Sequence, residues 1–417
     1  MNHRKIIIGC SGAFVVFAIV VIVVVWLFYS RFVQPMLGQR EIPAELREPR
    51  TITGADFLAR TEFFKLSESA LTARSRSIGS INDVVVSKPD GNSPTEIVIA
   101  GNYGALFVDQ DGANGRQVQY QLETEDERLG ILHATTTRTI MGDIQIIDIE
   151  HDHVFEYLAR GSIDGAAIFD SQGKRLWSYG KFTKEKTAID DMAAGDLTGD
   201  GVDEFVVCWD GIELFDRYGT KKWREETQYS ASQVEIVDTD GDGNNEIIYS
   251  YMGDLVIRDR KGQIVKQVDM PFYLSRFALC VMPVGKKPGV LAVEDGFVWI
   301  TDFNGHALVK FNAPLSEVDS TPYQTPVGEM RGDSVYKAKG IWVRLKKDEP
   351  EYLAVIAEFA GIERSVLYIY KASGEITYQE VLPDQCHSIA VLPNSNPNNP
   401  NELLIGGEKT IWRYTAH

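Results

Sequence analysis

Asp238 to Glu246 reads DTDGDGNNE. Carboxylates stand at positions 1, 3, 5 and 9 of this stretch, and Gly243 stands at position 6. Hard oxygen donors at alternating residues, with a glycine where the chain turns sharply around a small cation, form the front of a calcium loop, whose position 7 gives a backbone carbonyl. The candidate metal residues are therefore Asp238, Asp240, Asp242, Asn244 and Glu246. Asp196 to Glu204, DLTGDGVDE, keeps the same register with Asp196, Thr198, Asp200, Val202 and Glu204, and with Gly201 at position 6. Asp148 to Glu156, DIEHDHVFE, keeps Asp148, Glu150, Asp152 and Glu156 but has His153 in place of the glycine, which makes it the weaker candidate. The competing reading of each is a tight turn, since Asp and Gly favour turns without any metal. A loop that recurs in this way is the punctuation of a repeat, and the repeat fixes the fold.

The flanks carry the same repeat. After Glu246 comes IIYSYMGDLVIRDRKGQIVKQV, after Glu204 FVVCWDGIELFDRYGTKKWREE, and after Glu156 YLARGSIDGAAIFDSQGKRLWSYG. Each is an apolar strand, a Gly turn, a second strand, another Gly turn (Gly262, Gly219, Gly173) and a third strand. The apolar run before each loop adds one more, giving four short antiparallel strands per unit. Anchors in the same register fall at Glu96, Glu156, Glu204, Glu246, Gly289, Glu351 and Glu402, 51 residues apart on average. Units of this length with four strands are propeller blades. The expected fold is all-β, a seven-bladed β-propeller of four-stranded antiparallel blades over residues 62–417, preceded by one transmembrane helix. The last unit ends at Tyr414 after its third strand, so residues 62–68 are expected to close the ring as its fourth, leaving no open edge. A short helix over Thr53 to Phe64, with Thr53 and Asp56 as a capping box, is the rival reading.

The acidic loops resemble FG-GAP repeats, the blades of integrin-alpha-like propellers, and the related VCBS-type repeats. The resemblance rests on Asp238–Glu246 and Asp196–Glu204 and extends over roughly residues 62 to 417. It implies structural calcium in the loops. This chain departs from the family at position 9, where Glu replaces the usual Asp. The outer hairpins FDSQGKRLWSYG and FDRYGTKKWREE resemble those of quinoprotein propellers, which supports the architecture rather than a cofactor.

Residues 6–30 form a run without a charge, enough for a helix of about 35 Å that would cross a bilayer. It ends WLFYSRF without a small-residue cleavage site, so it reads as a retained signal anchor. Cys10 stands at the start of the run, not after it as a lipid-modified cysteine would. Arg4 and Lys5 against Arg31 favour a cytoplasmic N-terminus. The expected layout is a cytoplasmic tail 1–5, an anchor 6–30, a juxtamembrane stalk 31–61 and the propeller in the periplasm or outside the cell. No Asn-X-Ser/Thr acceptor occurs, which points to a bacterial envelope.

The net charge of −17 argues against nucleic acid or anionic lipid as a partner. Of four cysteines, Cys10 lies in the apolar run, and Cys208, Cys280 and Cys386 fall in different blades, which gives no disulfide framework. No HExxH, G-x-S-x-G, P-loop or dinucleotide-binding glycine pattern occurs. Trp177 and Trp223 occupy matching positions and read as packing between blades. Arg331–Ser334, RGDS, falls in an irregular stretch from 312 to 339 that would project as a contact loop. Asn394 to Asn401 occupies the metal-loop position of the last blade and reads as a polar turn. His151 and His153 flank Asp152 and could hold a transition metal, though a degenerate loop is the simpler reading. The functional expectation is a membrane-anchored extracytoplasmic propeller. It would act as a calcium-stabilised scaffold that binds a protein or glycan at the cell envelope. The alternatives are a propeller enzyme, quinoprotein-like or polysaccharide-acting, and an accessory subunit of a larger membrane complex.

Overall fold

The computed structural model describes residues 46, 48–67, 78–87, 95–113, 115–120, 124–129, 132–137, 144–152, 154–161, 165–179, 191–208, 211–226, 233–251, 253–272, 279–284, 287–294, 296–319, 323–325, 328–330, 335–359, 364–394, 396 and 399–417. Two strands come first, β1 (Arg50–Thr53) and β2 (Leu58–Lys65). Blade 1 is β3 (Ile81–Ser87), β4 (Glu96–Gly101), β5 (Gly104–Asp109) and β6 (Arg116–Gln119), followed by a separate hairpin, β7 (Thr124–Leu129) and β8 (Leu132–Thr137). Blade 2 is β9 (Ile144–Ile147), β10 (Glu156–Gly161), β11 (Gly165–Phe169) and β12 (Arg175–Tyr179). Blade 3 is β13 (Asp191–Gly195), β14 (Glu204–Cys208), β15 (Gly211–Phe215) and β16 (Lys221–Glu226). Blade 4 is β17 (Val234–Val237), β18 (Glu246–Tyr251), β19 (Asp254–Arg258) and β20 (Ile264–Val268). Blade 5 is β21 (Cys280–Val284), β22 (Lys287–Glu294), β23 (Phe297–Thr301) and β24 (Ala307–Asn312). A 3-10 helix, Pro314–Asp319, and a small hairpin, β25 (Tyr323–Thr325) and β26 (Gly328–Met330), precede blade 6. Blade 6 is β27 (Val335–Val343), β28 (Tyr352–Phe359), β29 (Arg364–Tyr370) and β30 (Ile376–Val381). Blade 7 is β31 (Cys386–Leu392), β32 (Glu402–Gly407), β33 (Thr410–Ala416) and, as its outer strand, β2. The protein is a seven-bladed all-β propeller of antiparallel blades.

The second strand of each blade explains why the sequence reads as it does. Phe205 and Val207 of β14 pack toward blade 2, while Val206 and Cys208 pack toward blade 4. Ile97 and Ile99 of β4 likewise face blade 7, and Val98 and Ala100 face blade 2. A strand buried on both faces must be continuously apolar, and successive residues serve opposite neighbours. The core is accordingly seven slabs, one between each adjacent pair of blades.

Ring closure starts earlier in the chain than expected. β2 runs from Leu58, not from residue 62, because it must match the length of β33, pairing Leu58 with Ala416 through Lys65 with Thr410. Residues 50–53, expected in the stalk, form β1, which adds to β30 as a fifth strand of blade 6. The rival helix over Thr53 to Phe64 does not form. Between the two strands the chain turns at Gly54, whose carbonyl accepts from Phe57 N at 2.8 Å. A buried polar network joins the last two blades behind this closure. Glu380 on β30, almost fully buried, pairs with Arg60 on β2 and accepts from Tyr378 Oη and Tyr414 Oη, each at 2.8 Å. Arg60 also stacks over Trp412, 4.7 Å from the ring centre.

Among the described residues no helix is long and apolar enough to cross a membrane, and residues 6–30, where the anchor is expected, lie outside them. Arg331–Ser334 and His153 also lie outside them. Among the described residues Cys208 and Cys386 are buried and Cys280 is partly buried, and none of the three is in a disulfide.

Candidate metal loops and the central channel

The three acidic loops connect the innermost strand of a blade to its second strand, in blades 2, 3 and 4. All share one scaffold. The position-1 aspartate accepts loop amides, and the position-9 glutamate reaches back across the loop to the amide of position 2. Thr239 N donates to Glu246 Oε2 at 2.9 Å, Leu197 N to Glu204 Oε2 at 2.9 Å, and Ile149 N to Glu156 Oε2 at 3.1 Å. That cross-loop bond is a physical reason for glutamate where an aspartate would be too short. The sequence pattern did not reveal it.

In the blade 4 loop, Asp238 accepts from Gly241 N at 2.6 Å through Oδ1 and from Gly243 N at 2.9 Å through Oδ2. Partial burial pushes the Asp238 pKa up, but the backbone amides of Gly241, Gly243, Asp240 and Asp242 outweigh it and hold the carboxyl below its ordinary value. One oxygen each of Asp238, Asp240 and Glu246 lies within 4.8 Å of the others, the grouping among described residues that could hold a cation. Hard oxygens at that spacing suit calcium. Asp242 does not join that group of carboxylates. Asp242 Oδ1 instead accepts from Asn244 N at 2.8 Å and from Asn244 Nδ2 at 3.0 Å.

The blade 3 loop keeps the backbone pattern but not the gathering. Asp196 accepts from Gly199 N at 2.6 Å and Gly201 N at 2.8 Å, and Thr198 Oγ1 donates to Glu204 Oε1 at 3.1 Å. Asp200 Oδ1 accepts from Val202 N at 3.0 Å. The blade 2 loop differs more. Asp148 Oδ1 accepts from Asp152 N at 3.0 Å, and Asp152 Oδ1 from Val154 N at 2.8 Å, while exposed Glu150 pairs with Arg217 at 3.4 Å. His151 sits at φ 53° with Nε2 2.9 Å from Asp203 Oδ1. Burial drives the Glu156 pKa up to about 7; the Ile149 amide opposes this, and the charges of Asp148, Asp152 and Glu150 add to it. The loops also link their blades: Asp203 N donates to Ile149 O at 2.9 Å, and Asn245 Nδ2 to Asp196 O at 2.7 Å.

A second motif, only half visible in sequence, shapes the outer hairpins on the same face. In Asp109, Asp170, Asp216, Asp259 and Asp302, Oδ1 accepts the amide four residues on, and a glycine follows three residues after each. Gly173, Gly219 and Gly262 are legible as turns in the repeat, whereas the role of the aspartates appears only in the folded hairpins. The hairpins press on the preceding blade. Trp223 of blade 3 donates through Nε1 to Arg260 O of blade 4 at 2.9 Å, and Trp177 of blade 2 packs 5.1 Å, centre to centre, from Phe215 of blade 3. Both tryptophans are inter-blade packing.

The opposite face holds a channel mouth. Inner strands run the same way, so their first residues converge there, around a cavity of about 310 Å³ lined from all seven blades. Polar side chains clamp neighbouring blades beside it. Asp191 Oδ2 accepts from Val234 N at 3.0 Å, Asp83 Oδ2 from Ile146 N at 3.3 Å, and Ser388 Oγ donates to Asp83 Oδ1 at 2.9 Å. His387 Nε2, as donor, reaches Ile81 O at 2.9 Å. This ring is not legible in the linear pattern, because its members lie in different repeats.

No protein-family model and no curated protein sequence matches the chain. Among solved structures it is similar to a crystal structure of BBS1N in complex with ARL6DN, soaked with lead. The TM-score is 0.49 at 11% identity, covering 86% of this chain and 97% of that one. A mercury-soaked crystal of the same complex gives a TM-score of 0.47 at 11% identity, covering 81% and 92% respectively. The propeller assignment rests on the strand pairing described above.

Proposed function

We propose that this chain is a membrane-tethered binding scaffold. Residues 6–30 serve as the tether, the propeller stands outside the cytoplasm, and calcium at Asp238, Asp240 and Glu246 stiffens one face, as in the FG-GAP-type repeats the loops resemble. A protein or glycan partner sits on the other face. A propeller by itself supports interaction more readily than chemistry, and fold alone does not assign function. The observation that carries the reading is the placing of the insertions. The hairpin β7–β8, the 3-10 helix and the hairpin β25–β26 all interrupt connections from an outer strand to the next inner strand. Antiparallel alternation puts those connections on the channel-mouth face, away from the acidic loops. Elaboration of one face of a regular ring is where recognition is expected.

The test is site-specific photo-crosslinking of the full chain in its own cells. The crosslinker is placed at Asp126 in β7 and at Glu329 in β26, with Tyr218 on the opposite face as control. Discrete adducts from the first two positions and none from Tyr218 are expected. Folded protein that yields no adduct from either insertion removes this reading.

A further inference from the structure

The acidic loops form a staircase that stops at blade 4. Position 8 of a loop reaches back to the loop of the blade before it, through Asp203 N to Ile149 O and Asn245 Nδ2 to Asp196 O. In blade 5 the ladder runs through the place of the loop, pairing Pro283 with Pro288 and Val284 with Lys287. Val290 turns toward blade 4 as Ile247 turns toward blade 3, which puts Pro288 at position 8. Proline has no N–H, so blade 5 cannot make the same bond from that position. The outer hairpin repeats the omission. After its aspartate stands Arg217 in blade 3, which pairs with Glu150 of the blade 2 loop at 3.4 Å, and Arg260 in blade 4, but Phe303 in blade 5. What remains between blades 4 and 5 is a cleft of about 680 Å³. Asp238, Asp240 and Glu246 line one wall, held by loop amides and the Thr239 hydroxyl. No lysine, arginine or histidine among the described residues pairs with these three. Lys266, the basic residue of the cleft, is tied to Asn304 and to Phe303 O, and Asp302 faces His306. Val265 and Leu308 flank the opening, 62% and 51% exposed.

We propose that this cleft docks an extended basic segment of a partner protein. A backbone amide of the segment takes the part that Asp203 and Asn245 play one and two blades earlier. A lysine or arginine faces exposed Asp240, and an aliphatic side chain lies on Val265 and Leu308. The fold itself describes the occupant. What the earlier loops receive from the next blade, an N–H and in one case a guanidinium, is what Pro288 and Phe303 do not supply. Calcium in the loop does not reverse the sign, because three carboxylates against one doubly charged ion leave one negative charge. Adjacent exposed aliphatics give the segment an apolar footing beside that charge. A cleft of this size takes a few side chains and not a folded domain. The inference is independent of the scaffold reading, which concerns the insertions on the opposite face.

The experiment is fluorescence-anisotropy titration of the detergent-solubilised full chain, with calcium present, against labelled and capped short peptides. In the panel lysine or arginine stands beside valine, leucine or isoleucine, and matched peptides carry glutamate in place of the base. Each binder is remade with its amides N-methylated one at a time. Leu308→Ser is measured beside Leu176→Ser, an equally exposed leucine on the outer strand of blade 2. At least one basic peptide is expected to bind, its glutamate counterpart and one N-methylated form to bind about tenfold more weakly or worse, and Leu308→Ser to lose about tenfold in affinity. Leu176→Ser should bind as the parent does. The proposal is overturned if no basic peptide binds at up to about 1 mM, if the glutamate peptides bind as well, if no N-methylation weakens binding, or if folded Leu308→Ser binds unchanged. Sedimentation that shows a dimer dissolved by Leu308→Ser would give the cleft to a second copy of the chain and overturn it too. The peptide comparisons use the unaltered protein, so they decide the matter even where a variant fails to fold.

Discussion

Gly243, in the loop that leads into β18, and Gly219, in the outer hairpin of blade 3, hold the same left-handed backbone, with φ 89° and 76°. Their surroundings are opposite. Nothing lies within 4 Å of where a Cβ would stand on Gly243, whereas on Gly219 it would stand 1.9 Å from Cδ1 of Trp177. The hairpin turn is shaped by the neighbouring blade that it presses against. The acidic loop is shaped by its own aspartates, and it leaves its centre open to solvent. One face of the ring therefore carries two glycine turns, one serving assembly and the other free to serve a ligand.

The comparison predicts unequal costs. Gly219→Ala must relieve a clash with a packed indole as well as adopt positive φ, and overpacking together with backbone strain puts the loss at about 3 kcal/mol or more. Urea unfolding of the full chain measures it. An alanine tolerated at Gly219 as easily as at Gly243 would erase the distinction between the turns.

The next largest effect separates the acidic loops from one another. Calcium at a hundredfold excess over its dissociation constant should stabilise the protein by about 2.7 kcal/mol, read as a rise in melting temperature. Asp240→Asn should abolish the rise. Asp152→Asn, in the loop without the gathered carboxylates, should leave it intact. No thermal response to calcium would reduce all three loops to turns.

Gly243→Ala measured without calcium should cost only about 1 kcal/mol, the strain of an alanine at positive φ in open space. A cost close to that of Gly219→Ala would mean that the open loop is packed in solution.

Much of this architecture was readable because the repeat marks its own strands. Glu96, Glu156, Glu204, Glu246 and Glu402 each begin a second strand, Gly289 lies within one, and Glu351 immediately precedes another. An acid before a doubly buried apolar run is a local signal. β1 was not readable: RTIT is four exposed residues whose pairing depends on the edge of β30, more than three hundred residues away. The cross-loop glutamate bond hid behind the metal pattern, since one residue answers to both descriptions. The candidate metal set was only partly legible. The spacing named nine-residue loops correctly, but which carboxylates converge depends on the side-chain turn that sends Asp242 to Asn244 and not inward. Glu213 shows the same limit, a fully buried acid on β15 that looks solvated in sequence. It is held by Tyr179 Oη of the preceding blade and by Lys221, each at 2.9 Å.

The smallest predicted effect is one of sign, and it sets the blade 2 loop against the blade 4 loop directly. Glu156 titrates near 7 in the fold, against 4.5 ordinarily. Between those values the folded state holds a proton that the unfolded chain has released, so stability falls as pH rises through the window, and the loss is complete above it. Because Glu156 is only half-buried, solvent screening reduces the effect to about 1 kcal/mol. Asp238 behaves the other way. Its carboxyl is held below the ordinary 3.8, so the stability it adds is present at neutral pH and is lost only as pH falls through the acid range. Melting temperatures between pH 4.5 and 7.5 should therefore slope downward in the parent protein relative to Glu156→Gln, while Asp238→Asn should leave that slope alone. If Glu156→Gln leaves the slope unchanged, the burial ascribed to this glutamate is wrong, and the blade 2 loop is as open as its blade 4 counterpart.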